Sequence, residues 1–254
     1  MMTASVDLSR LDPKEVIKPR RWDEYEQGLR WIWAELVRLN TSQFILKRIG
    51  PFHNVLMFGP DDGLFIPHVI TALYDLCLLG VTKLATDKGK NRHTLPNFKN
   101  RVLREFMKDA YRQSFQQQLA LVRFDKRTQE LLDSARMIRN NFVAHLNAEA
   151  LLRPSQHPRI DPDQDLPVMC EALNSLFETL CFHHTYRLLP MAYDLPDRKP
   201  DVERILDLIA AESSFVNLPE TRPRVFQRRR KHMAEDGRLE IMNEYRRRLG
   251  LAEA

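Results

Sequence analysis

Arg139, Asn140, Asn141 and His145 lie close together in the stretch RNNFVAHL, inside a segment whose apolar residues otherwise repeat with helical spacing. The residue types suit phosphodiester chemistry. A guanidinium binds phosphate through two parallel N–H bonds and stabilises charge that develops on its oxygens. An imidazole titrating near neutrality takes or gives a proton at working pH. Arg136, three residues before Arg139, adds a second cation.

The spacing limits what one helix can do with them. At about 100° per residue, His145 falls about 120° around the wheel from Arg139 and roughly 9 Å along the axis. Asn141 and His145 are i and i+4, so they share a face, and Asn141 can hold one imidazole nitrogen and set its tautomer. Phe142 and Leu146 belong to the packing face. On spacing alone the competing reading is a polar helix face whose Arg and His make surface or dimer contacts.

Other chemistries find less support. The chain holds eight histidines and three cysteines but no HExxH and no CxxC. Adjacent His183 and His184 point about 100° apart on a helix, so they do not chelate as an i, i+4 pair does. No metal and no cofactor is expected. There is no GxSxG, P-loop or GxGxxG, and glycine is scarce at 8 residues, which argues against phosphate-cradling glycine turns. Cys77, Cys170 and Cys181 read as small buried apolar groups in a reducing compartment.

The N-terminal MMTASVDLSRLDPKE has acids and no apolar run, unlike a secretory signal. The apolar run Leu76–Val81 is far shorter than the ~20 residues of a bilayer span. A cytoplasmic protein without membrane contact is expected. The net charge of +5 is unevenly spread: between Arg222 and Arg248 stand ten Arg or Lys and four acids. The cluster Arg228, Arg229, Arg230 and Lys231 is the candidate for neutralising RNA phosphates; a solvated helical extension explains the same run.

The elements that must position these residues are helical. Trp22, Tyr25, Leu29, Trp33, Leu36 and Val37 predict a helix over 22–39. Phe65–Leu84 predicts a strongly apolar central helix with Val69, Leu73, Leu76, Leu79 and Leu84 inward. Further helices are predicted over Phe98–Leu121, Leu131–Leu146, Val168–Leu189, Asp201–Ala211 and Leu239–Leu249. Four prolines (154, 158, 162 and 167) make 153–167 a loop. No stretch alternates with period two long enough for a strand. The fold class is all-α: a bundle of four to five core helices with a basic helical C-terminal extension.

Arg139-Asn140 followed by His145, with Ala144 before the histidine, resembles the R-x(4–6)-H signature of the HEPN superfamily. The long apolar helix Leu73–Asp87 and the polar turn Lys88–Leu95 ahead of it resemble the abortive-infection, AbiU-like branch. The resemblance covers roughly residues 20–190, which suggests a HEPN-like domain over 20–192 and a basic extension over 195–254. It implies a homodimer whose motif helices form a composite cleft, so that Arg of one chain approaches His of the other. It also implies a metal-independent endoribonuclease of a defence or toxin–antitoxin type, with RNA as substrate and an antitoxin or defence-system protein as candidate partner. Arg139 would position the phosphate, His145 would act as general base or acid, and Asn140 would support phosphate or imidazole. The alternatives are a non-catalytic HEPN-like module that binds RNA or protein, and a helical adaptor working through its basic tail.

Overall fold

The structure, a computed structural model, describes residues 6–49, 65–86, 94–122, 125–143, 158–183 and 186–190, with positions 202, 240, 243, 244 and 247 near the C-terminus. The predicted helix Asp201–Ala211 and most of Leu239–Leu249 lie outside the described residues. The described residues are overwhelmingly helical and contain no β-strand, so the fold is the all-α bundle expected. The chain divides into two compact units. One comprises Met1–Gln43 and Asp75–Pro190; the other comprises Phe44–Tyr74 and Met191–Ala254.

Helix α1, Trp22–Ile49, runs ten residues beyond its predicted end. Asp23 and Glu24 in its first turn and Lys47 and Arg48 in its last both complement the helix dipole. In the first unit, Tyr25, Leu29, Ile32, Leu36 and Leu39 recur at steps of four and three and are all buried. Trp22 and Trp33 are only half-buried. Trp33 tilts against Tyr186 and its indole N–H donates to the Arg187 carbonyl at 2.7 Å.

Helix α2, Phe65–Ala85, starts where periodicity places it, but its inward face differs. Cys77, Leu78, Val81 and Leu84 are buried, whereas Leu76 and Leu79 are exposed. Gly80 faces Leu39, which sets the close α1–α2 approach. The expectation that this region is too short to span a bilayer also needs correction. Pro67–Ala85 is long and apolar enough by length and composition. Its C-terminal half nevertheless packs in the bundle, and Lys83 reaches Glu35 at 2.9 Å.

The predicted helix Phe98–Leu121 is interrupted. Helix α3, Leu95–Arg101, is capped by Thr94, whose hydroxyl accepts from the Asn97 N–H. It passes into a π turn, Val102–Phe106, and the chain becomes extended at Met107. There an N-terminal strap intervenes: Lys18 N–H donates to Phe106 C=O at 2.8 Å, and Lys108 N–H donates to Val16 C=O at 3.0 Å. This isolated antiparallel bridge, Ile17 with Met107, captures backbone groups that a continuous helix would use internally. Both side chains are buried. Helix α4, Arg112–Leu119, resumes the run.

Helix α5, Lys126–Ile138, starts at an Asp125 cap and buries Leu132 and Ala135. Helix α6, Asp165–Cys181, buries nine of its residues, so it takes the central place expected of α2. It ends eight residues earlier than periodicity suggests. Phe182 turns to φ 54°, a left-handed conformation that an L side chain adopts only when its surroundings hold it. Its buried ring packs on Tyr25 and Phe115. Tyr25 O–H donates to the Leu180 carbonyl at 2.7 Å, and Asn40 and Asn174 exchange two amide bonds. These contacts fasten the end of α6 to α1.

In the second unit, Leu46 and Ile49 are buried, and the Arg48 guanidinium lies 5.2 Å over the Phe44 ring.

Candidate functional site

The motif segment does not continue α5 as an α-helix. Arg139–Val143 forms a π turn, whose i→i+5 bonding admits one extra residue and alters the side-chain phase. An α-helical wheel therefore does not hold over Arg139–Val143. Turns of this kind occur frequently at functional sites. The supports beneath it are firm. The Asp125 carboxylate accepts from Thr128 N–H at 2.8 Å, while Leu132 and Ala135 anchor α5 in the core against α6.

On this turn the guanidinium of Arg139 forks onto its neighbour. Nε and Nη2 both donate to Asn140 Oδ1, at 3.0 and 2.9 Å. Adjacent residues of an α-helix do not normally face each other, so this pairing belongs to the π geometry and the long Arg side chain. Asn140 is exposed; Arg136, Arg139 and Asn141 are half-buried. The Nε–Nη2 edge converges on a single oxygen, the arrangement a phosphate oxygen would also satisfy. Met137, one turn before Asn140, is 47% exposed. Sequence reasoning missed it, although its i−3 position relative to Asn140 was the available signal.

His145 and the cluster Arg228, Arg229, Arg230 and Lys231 lie outside the described residues. The structure thus brings Arg139 and Asn140 together, with Asn141 on the same turn and Arg136 on the turn before it. A groove of about 730 Å³ lies elsewhere, along α6, and neither Arg139 nor Asn140 lines it.

No group of three or more His, Cys, Asp or Glu among the described residues is arranged to hold a metal. The three cysteines are buried. Burial pushes the Cys77 thiol up to about 12 and raises Cys170 and Cys181 as well, so none supplies a thiolate near neutral pH. Native protein at pH 8 is expected to resist iodoacetamide, and all three thiols are expected to react in denaturant, as intact mass would register. Rapid native alkylation would contradict this packing.

A family model for AbiU2, a HEPN family, matches residues 22–205. The chain belongs to the AbiU2 family of HEPN domains. The match begins at the first residue of α1 and runs beyond α6, enclosing the motif turn. It ends before Arg228–Lys231. No curated protein and no solved structure matches the chain. This AbiU2 protein therefore carries an abortive-infection-related HEPN domain, and the forked Arg139–Asn140 pair sits within the matched region.

Proposed function

We propose that this AbiU2 protein is a metal-independent endoribonuclease acting in abortive infection. The observation that carries the reading is the Arg139 guanidinium held in a fork by Asn140 on a π turn. In the proposed reaction, neutral His145 removes the proton from a ribose 2′-OH. The 2′ oxygen forms a bond to the adjacent phosphorus, and the bond from phosphorus to the 5′ oxygen breaks. The departing oxygen takes up a proton, leaving a 2′,3′-cyclic phosphate and a free 5′-OH. Arg139 exchanges Asn140 Oδ1 for a non-bridging phosphate oxygen and stabilises its growing charge. Asn140 keeps the guanidinium aimed until substrate arrives.

A homodimer completes this site by setting two motif turns together, so that Arg139 of one chain works with His145 of the other. Exposed Met137 beside Asn140 supports a helix-to-helix contact on this face, because it supplies apolar area next to the polar pair. Arg228, Arg229, Arg230 and Lys231 are proposed to hold the RNA backbone, and an antitoxin or defence-system protein to restrain the enzyme.

The test is induced expression of wild type and His145→Ala, with growth and RNA integrity read together, plus cleavage by purified protein in excess chelator. Growth arrest and cyclic-phosphate ends that depend on His145 and survive chelation are expected. RNA binding without cleavage in either assay would replace this reading with a non-catalytic module.

A further inference from the structure

Helix α6 buries one side in the core and turns the other toward the groove of about 730 Å³, within the ~300–1,000 Å³ typical of ligand-sized sites. Val168, Ala172, Ser175 and Thr179 recur along its floor at steps of four and three. They are short side chains, which allow another helix to come close. Glu171 and Glu178 stand one heptad apart on the same side of α6, roughly 10 Å along the axis. Both are exposed, and neither is ion-paired with another described residue. Asp7 and Asp125 add two carboxylates at the walls, and Arg127, which lies 3.6 Å from Asp165, is the one cation among the described lining residues. Arg10, just outside the lining, pairs Asp7 at 3.0 Å, so the acidic character of the groove rests chiefly on Glu171 and Glu178, on a chain whose net charge is +5.

The lip of the groove is apolar. Leu121 is 82% exposed there, with Val122 beside it. The acidic sides repel a nucleic-acid backbone, and the groove is separate from the Arg139–Asn140 turn. A floor of small residues, acidic flanks and an uncovered leucine complement a helix with Lys or Arg on its flanks and aliphatic residues on its inner face. We propose that this groove docks a basic amphipathic helical segment of a protein partner. The floor from Val168 to Thr179 accommodates about three turns.

The test titrates the full chain into a fluorescein-labelled 15-residue Lys/Leu amphipathic peptide and follows anisotropy. Micromolar binding is expected for wild type. Glu171→Lys with Glu178→Lys should weaken it at least about tenfold, and Leu121→Ala by about threefold or more. Asp109→Lys with Glu130→Lys makes the same charge change at exposed sites outside the groove and should leave binding unchanged. All these positions are exposed, and circular dichroism verifies that each variant is folded. Equal binding by the groove variants overturns the proposal, as does equal weakening by the control pair. Displacement of the peptide by spermine as effectively as by unlabelled peptide also overturns it, because the groove would then be a general polycation site.

Discussion

Arg139→Ala is expected to reduce RNA cleavage by about 10²–10³-fold, the usual cost of removing one preorganised donor from a developing oxyanion. The loss should fall on kcat more than on KM, since the contact strengthens as charge accumulates on phosphorus. Arg139→Lys should recover only a small part. Lysine keeps the charge but lacks the planar fork whose Nε and Nη2 now converge on Asn140 Oδ1. Asn140→Ala leaves the charge in place and removes what aims it, giving a smaller loss that rises with the freedom of the guanidinium. Asn140→Asp should be worse than Asn140→Ala, because a carboxylate pairs with Arg139 and competes with phosphate. The order Arg139→Ala, Asn140→Asp, Asn140→Ala, from most to least damaging, is specific to an arginine that must exchange a resting partner for substrate. Half-burial of Arg139 keeps the stability change small, so thermal melting should separate the catalytic effect from unfolding. Equal cleavage by Arg139→Ala and wild type would remove this turn from the active site.

Apolar periodicity made the all-α class and the starts of α1 and α2 readable, because a helix buried on one side must repeat its large residues at three- and four-residue steps. It failed where backbone groups were claimed by something outside the helix. Nothing in residues 98–121 announces that Val16 and Lys18 will bond to Lys108 and Phe106, yet those two bonds divide the helix. Nor does the pattern after Val168 announce that Phe182 will fold back against Tyr25 and Phe115. Leu76 and Leu79 were placed inward by composition, because α2 is apolar on most of its surface and offers little contrast between faces.

The candidate site shows the same division. Residue types marked Arg139 and Asn140, but their mutual geometry rests on the π turn, whose extra residue leaves no trace in a seven-residue stretch. Nothing in the sequence sets Glu171 and Glu178 apart from the other acids scattered along the helices; they stand out only because the opposite face of α6 is buried and Leu121 is exposed.

Gly28→Ala is expected to destabilise the protein, against the helix-propensity rule. In the middle of α1, alanine should be favoured over glycine by roughly 1 kcal/mol. Here an added Cβ would stand 2.9 Å from Phe98 Cδ2 and closer still to Cε2, well inside van der Waals contact. The ring has nowhere to go: Phe98 is buried, stacked 6.0 Å from Tyr25 and edge-on to Phe106 at 6.2 Å. Either α3 withdraws from α1 or Phe98 leaves its rotamer, and overpacking of this kind costs about 1–3 kcal/mol. A net loss of up to about 2 kcal/mol is expected for Gly28→Ala in urea unfolding, and a larger one for Gly28→Val. Gly80→Ala is the matched comparison, since its new Cβ would meet the flexible Leu39 Cδ1 at 3.3 Å, a few tenths of an ångström that a leucine methyl can yield. That variant should be neutral or slightly stabilising. Phe98→Leu should relieve part of the Gly28→Ala defect, giving a coupling between the two substitutions that a propensity effect cannot produce. If Gly28→Ala and Gly80→Ala stabilise equally, α1 and α3 do not approach at Gly28 as described.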